Sequence, residues 1–325
     1  MSKFTRAVVL TVLALSILSA SVPGQVASTD GVTISAKNPL QIAILHWYRA
    51  NETTTFSVGS TPQGVAFDGD HIWVANLNSN NVTKLRTSDG MNLGTFGVGA
   101  FPTGMAFDGA NIWVTNAGSN DVTKLRASDG KVLGTFSVGS TPQGVAFDGA
   151  HIWVANINSN NVTKLRASDG KVLGTFGVGQ APIGVAFDGA SVWVTNLNSS
   201  DVTKLRASDG TVLGTFVGGP NPSGVAFDGA NIWVTNFSSN SVTELRASDG
   251  KVLGTFGVGQ SPIGVAFDGA NIWVTNVDTN NMTKLRASDG TKLGTFRVGL
   301  RPSGVAFDGA NLWVANSFSD SVSKL

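Results

Sequence analysis

The chain has 325 residues, 42% hydrophobic and 13% charged, enough for a sizeable core and too little charge for a disordered protein. Its formal net charge of +1 gives no basic footprint for nucleic acid or anionic membrane. It has no cysteine, which excludes disulfides, thiolate metal sites, cysteine nucleophiles and lipid attached to a Cys.

The chain opens with a short basic stretch, MSKFTR, followed by the apolar run AVVLTVLALSILSA at 7–20. Small residues come next at Ser19, Ala20, Ser21, Gly24 and Ala27. This order predicts a signal peptide over 1–27, cleaved within 20–27. The apolar run is shorter than the ~20 residues a membrane span needs, so no span is expected after cleavage. Removal of Lys3 and Arg6 would leave 20 basic against 21 acidic residues. Residues 28–45 stand outside any repeat and read as an N-terminal tail or linker. Within and just after it, the stretch from Ile44 to Tyr48 reads either as packing on the following domain or as linker.

From residue 46 the chain is periodic. Gly64, Gly104, Gly144, Gly184, Gly224, Gly264 and Gly304 are forty apart, as are Trp73, Trp113, Trp153, Trp193, Trp233, Trp273 and Trp313. Fixed periods of this size mark solenoids, propellers or arrays. Each unit holds four short β-type runs, such as GVAFDG, HIWVAN, NVTKLR and NLGTFGVG, separated by Asp-Gly, Asn-rich and Gly-x-x-Pro turns. Forty residues divided this way leave no room for a helix. The run Ile72, Trp73, Val74 is apolar on both faces, so each sheet must be covered by its neighbours.

The two ends complete one another. Leu325 stands in register with Leu85, after the third run of its unit, and TFSVG at 55–59 matches TFSVG at 135–139. Residues 46–325 therefore read as one all-β domain, a seven-bladed β-propeller with four antiparallel strands per blade. The N-terminal strand is expected to complete the C-terminal blade and close the ring.

Trp-Val-Thr-Asn at 113–116, 193–196, 233–236 and 273–276, and Trp-Val-Ala-Asn at 73–76, 153–156 and 313–316, carry a resemblance. The units resemble the YVTN-type propeller repeats of secreted and surface-layer proteins of bacteria and archaea, with Trp in place of Tyr. They are also similar to the streptogramin (virginiamycin B) lyase group, another seven-bladed propeller. That group implies a histidine and acidic residues with Mg²⁺ on the channel face. No histidine here falls in those loops, so no catalytic role transfers to any position.

His71 and His151 occupy a turn position that is Asn or Ser in the other units, and read as turn residues. The cluster Asp68, Asp70, His71 reads the same way, and no metal site or cofactor is expected. Lys84 and its equivalents are expected on a solvated edge, neutralised with Arg86 and nearby Asp. Asp121, Asp201, Asp278 and Asp320 fall in channel-face loops on four different units and form no evident cage. Differences between units gather in those loops: Gln63, Thr103, Gln143, Ile183, Ser223, Ile263 and Ser303 at one position, Phe101, Asn221 and Arg301 beside it, and Phe237 and Phe318 in the second loop. A fixed frame with variable, partly aromatic loops suits recognition, although drift in exposed loops gives the same pattern. The sequence thus points to an exported, monomeric, non-catalytic scaffold that binds a protein, peptide or glycan through its channel face. The alternative is a lyase-like or lactonase-like propeller enzyme dependent on a divalent cation.

Overall fold

In the computed structural model the chain divides into two units, Met1–Asn51 and Glu52–Leu325. The structure describes residues 53–325, all within the second unit. The signal peptide, the 28–45 segment, the boundary at 46 and the stretch from Ile44 to Tyr48 lie outside the described residues.

Among the described residues twenty-eight strands form seven four-stranded antiparallel sheets. The first blade runs β2 (Pro62–Phe67), β3 (His71–Asn76), β4 (Asn81–Arg86), β5 (Asn92–Gly97), in that spatial order. Five more blades repeat it. The seventh takes β26 (Pro302–Phe307), β27 (Leu312–Asn316) and β28 (Ser321–Lys324) from the C-terminus and β1 (Thr54–Ser57) from the other end. β1 pairs with β28 in the register Thr54↔Lys324 to Ser57↔Ser321, which is the closure the sequence requires. The first strand of each blade contacts the first strands of both neighbours, β2 with β26 included, so these strands line a closed ring around the axis.

Local chemistry sets each blade. Asp68 Oδ1 accepts the backbone N–H groups of Asp70 and His71, which forms the turn. Its Oδ2 accepts the indole N–H of Trp73 at 2.8 Å, and the same bond recurs at Asp108–Trp113 and in the five remaining blades. The tryptophan then reaches into the next blade: Trp73, Val82 and Phe96 pack against Ile112, Val114 and Leu125. At the closing interface Trp313, Val322 and Phe56 meet Ile72, Val74 and Leu85. Each Trp lies against the Phe of its outer strand, with centroids 5.0 to 5.6 Å apart.

The repeated glycine is required by close approach. A Cβ at Gly64 would stand 2.2 Å from the carbonyl oxygen of Thr103 in the next blade, and one at Gly304 would stand 2.3 Å from that of Gln63. The same contact runs around the whole ring, so this glycine sets how tightly the inner strands draw together.

The lysines correct an expectation. Lys84, Lys124 and Lys164 are buried between blades rather than solvated at an edge. Lys84 Nζ lies 5.2 Å above the Trp73 ring and donates to the Ala127 carbonyl of the next blade at 2.7 Å. Lys124, Lys164, Lys204 and Lys324 do the same against Trp113, Trp153, Trp193 and Trp313. The outer arginines do pair with the aspartate of their own turn, as Arg86 with Asp89 at 3.2 Å and its equivalents show.

Candidate functional site

Two connections of every blade meet on one face. In the first blade they are 58–61, between β1 and β2, and 77–80, between β3 and β4. Leu77 N–H donates to the Thr61 carbonyl at 3.0 Å and Asn78 N–H to that of Ser60 at 3.2 Å. The residue before the inner strand is left-handed, as at Phe101 (φ 54°) and Arg301 (φ 51°). That conformation is held from the preceding blade: Asn80 Oδ1 accepts the Phe101 N–H at 2.9 Å and Asn280 Oδ1 that of Arg301 at 2.8 Å. Beneath the loops, the fully buried Asn76 and its equivalents bind strand and loop together, with Nδ2 donating to Asn81 Oδ1 and Thr83 Oγ1.

The position held by Gln63, Thr103, Gln143, Ile183, Ser223, Ile263 and Ser303 falls in a β-bulge of the inner strand. Its carbonyl faces the preceding blade. Thr115, Thr195, Thr235 and Thr275 donate to it from there at 2.6 to 2.8 Å. The side chains divide into two groups. Gln63, Gln143, Ile183 and Ile263 are half-buried at the axis. Thr103, Ser223 and Ser303 are buried, and Ser303 Oγ donates to the Pro62 and Gln63 carbonyls across the closing interface.

The variable loop residues are arranged in pairs, one from each loop of the same blade. Asn78 Nδ2 donates to Thr61 Oγ1 at 2.7 Å, and Asn158 Nδ2 to Thr141 Oγ1 at 2.8 Å. Ser238 Oγ donates to Asn221 Oδ1 at 2.6 Å, and Ser261 Oγ to the Asp278 carboxylate. Phe101 lies against Gly118, where a Cβ would stand 2.6 Å from its ring. Arg301 sits 4.8 Å over the Phe318 ring. Six of the seven blades thus bring the two loop positions into contact. The signal existed in the sequence as coupled changes seventeen residues apart, but only the fold shows that these positions touch.

Two of those pairs leave apolar surface in solvent. Phe101 is 49% exposed and Phe318 66%, and Leu300, whose carbonyl accepts the Phe318 N–H, is 53% exposed. Phe237 is also exposed on this face. The acidic residues are committed to local structure. Asp121 and Asp201 each accept from the buried Asn of their blade at 2.6 Å, Asp278 from Ser261, and Asp320 from the Thr61 N–H at 2.8 Å. Among the described residues no three His, Asp or Glu side chains converge.

On the opposite face a cavity of about 620 Å³ lies between the second and third blades, with Asp108, Lys124, His151 and Arg166 in its wall. Its polar side chains already have partners: His151 Nδ1 is 3.1 Å from Asp148, Arg166 pairs with Asp169 at 2.9 Å, and Lys124 caps the Ala167 carbonyl. His71 lies 3.4 Å from Asp68 in the same kind of turn.

No family model matches this chain, and no curated protein matches it. Among solved structures it is similar to a streptogramin B lyase structure, with a TM-score of 0.71, 19% identity, and coverage of 84% of this chain and 96% of that one. It is similar also to hydrazine synthase of Kuenenia stuttgartiensis, with a TM-score of 0.74, 18% identity, and coverage of 92% of this chain and 99% of that one. At such identities the likeness is one of fold, and the fold is the seven-bladed propeller.

Proposed function

We propose that the protein is an exported, non-catalytic propeller of the YVTN type that binds a protein, peptide or glycan through its channel-face loops. The observation that carries this reading is the contrast between frame and loops. The frame's Asp, Lys and Asn side chains are consumed by turns, indoles and carbonyls. The loop pairs differ from blade to blade, and at Phe101, Leu300 and Phe318 they hold large apolar groups in water, where binding surfaces place them.

The test is a thermal-shift and calorimetric screen of residues 28–325 against short peptides and cell-wall glycans, repeated with Phe101→Ala/Phe318→Ala. Saturable binding that weakens at least tenfold in the double variant supports the proposal. Mg²⁺-dependent turnover of a streptogramin or another cyclic ester, lost on Asp278→Asn or Asp320→Asn, overturns it in favour of an enzyme.

A further inference from the structure

The connection between the fourth and fifth blades, 217–221, departs from the other six. Its sequence is Val-Gly-Gly-Pro-Asn, where Gly-Val-Gly-Gln-Ser stands at 257–261 and Ser-Val-Gly-Ser-Thr at 137–141. The order of the first two residues is inverted. Because side chains alternate between faces, the inversion turns the valine outward. Val217 is 71% exposed, whereas Val98, Val138, Val178, Val258, Val298 and Val58 each pack into an interblade core. The core between blades four and five has no such valine.

Hydrogen bonds that pin this connection elsewhere are missing here. Val98, Val138, Val178, Val258, Val298 and Val58 donate their N–H to the preceding blade, and Gly218 does not. Ser200 replaces the Asn or Asp whose side chain accepts the N–H of the left-handed residue, so Asn221 N–H has no equivalent of the Asn120–Thr141 bond. Pro220 has no N–H to give, although Ser140 and Gln180 donate theirs to Ser159 and Ser199. Ser238 N–H also lacks the bond that Asn158 makes to the Ser140 carbonyl. What remains is the Phe237 N–H on the Asn221 carbonyl, with two side-chain bonds of Asn221, to Leu197 and Ser238.

The displaced side chain and the loosened connection border a cavity of about 390 Å³. One wall is Val217, Gly219 and Pro220. The other is blade five: the end of its second strand, the loop that follows, and its third and fourth strands, Val252 included. Its polar groups are the hydroxyls of Ser239, Ser241, Thr243 and Thr255 and the amide of Asn236, and no charged side chain lines it. Ser239, freed of the loop N–H its counterparts hold, shares a hydrogen bond with Ser241 at 2.8 Å. Asn236 belongs to the frame rather than to the cavity: it is fully buried, its Nδ2 donates to Ser241 and Thr243, and its Oδ1 is unpartnered as it is at Asn76, Asn116, Asn156 and Asn196.

We infer that this cavity is a binding site for a small uncharged hydroxylated molecule of monosaccharide size, covered by the 217–221 connection. The exposed hydroxyls of Ser239 and Thr255 match the ligand's polar edge, and Val217, Pro220 and Val252 match its apolar face. A charged ligand would have no counter-ion there. The volume matches about a dozen waters, which suits one sugar ring with some solvent. The site is separate from the channel-face pairs at Phe101 and Arg301.

Isothermal titration of residues 28–325 with glucose, galactose and N-acetylglucosamine, with sodium glucuronate as the charged control, tests the inference. The expected result is saturable binding of at least one neutral sugar and none of glucuronate. The double variant Val217→Gly/Gly218→Val restores the order found in other blades, so it is expected to fold, melt higher and lose at least tenfold in affinity. Ser239→Ala is expected to weaken binding with the melting temperature unchanged. Absence of binding to all three neutral sugars, or affinity unaltered in the double variant, overturns the site. Phe101→Ala/Phe318→Ala leaves this binding unchanged, so failure here and failure of the channel-face reading are separate results.

Discussion

Residue 244 interrupts the buried lysine series. Glu244 stands across from Trp233, where its six counterparts are lysines, and accepts a hydrogen bond from Asn231 at 2.8 Å. Burial, with the Asp228 charge adding to it, pushes its carboxyl above the ordinary value of 4.5. A raised folded-state pKa in an acid means that the folded protein holds its proton more tightly. The contribution to stability is then present at low pH and lost as pH rises through 4.5 toward the folded value. Glu244→Lys removes that loss and supplies a cation over Trp233 with a donor for the Ala287 carbonyl, by analogy with Lys204 and Ala247. It is expected to stabilise the protein by about 1–3 kcal/mol at pH 7, read by denaturant titration. Asp148, Asp268 and Asp308 run the other way. Burial raises their pKa, but hydrogen bonds from the indole N–H and the turn backbone outweigh it, and the carboxyls end below 3.8. Their contribution is present above pH 3.8 and lost as pH falls through the folded values, so Glu244→Lys should still unfold in acid. The tight inner ring predicts a third outcome. Gly184→Ala would bring a Cβ to 2.4 Å from the Ser223 carbonyl and is expected to cost about 1–3 kcal/mol. At this scale the sequence was legible for glycine and tryptophan, because a fixed period exposes them. The lysine was misread because a charge in mid-strand ordinarily faces water, and only the neighbouring blade supplies the ring and carbonyl that hold it.

Strands and connections carry the next set of consequences. Thr115, Thr195, Thr235 and Thr275 clip their blade to the next, whereas Ala75, Ala155 and Ala315 bring no hydroxyl to that position. Ala155→Thr places a hydroxyl between the Gly144 N–H and the Ile183 carbonyl, as Thr195 does between Gly184 and Ser223. A gain of about 0.5–1.5 kcal/mol is expected from denaturant unfolding. The closing strand β1 is short and held by Phe56, which stacks on Trp313 at 5.6 Å and covers Gly90 of the first blade. Phe56→Ala is expected to cost about 3–5 kcal/mol and to lower the unfolding midpoint of the whole ring. A separate early transition confined to one blade would contradict cooperative closure. The four runs of each unit and the split last blade were legible before any coordinates, since turn residues punctuate every unit at the same offsets. The pairing of loop residues was not, because Phe101 with Gly118, or Arg301 with Phe318, becomes a contact only when two hairpin ends are brought to one face.

At the scale of the whole molecule, seven interfaces of nearly one design surround one axis, and two of the departures from it expose apolar side chains. Blades seven and two hold exposed aromatic groups on the channel face, and the junction of blades four and five has lost a core side chain. A sevenfold frame has no use for such differences, so they mark where function is to be sought. Both were present in the sequence as departures from the period, yet an inverted dipeptide such as Val217-Gly218 reads as trivial until the cavity beside it is seen. The proposed export is tested at this scale as well. Mass spectrometry of the protein recovered from the medium or periplasm of an expressing bacterium is expected to show a mature N-terminus between residues 21 and 28.

The closing blade has one more implication. Gly304 meets Gln63 as Gly64 meets Thr103, and β1 lies on β28 as β5 lies on β4. The packing therefore does not record where the covalent chain is interrupted. Joining Leu325 to Thr54 through the residues that stand at 166–173, and opening the chain instead at an exposed turn such as that after Ser128, should yield a circular permutant with the same ring. Any of the outer turns would serve as the new start, and the order of the blades around the axis would be unchanged.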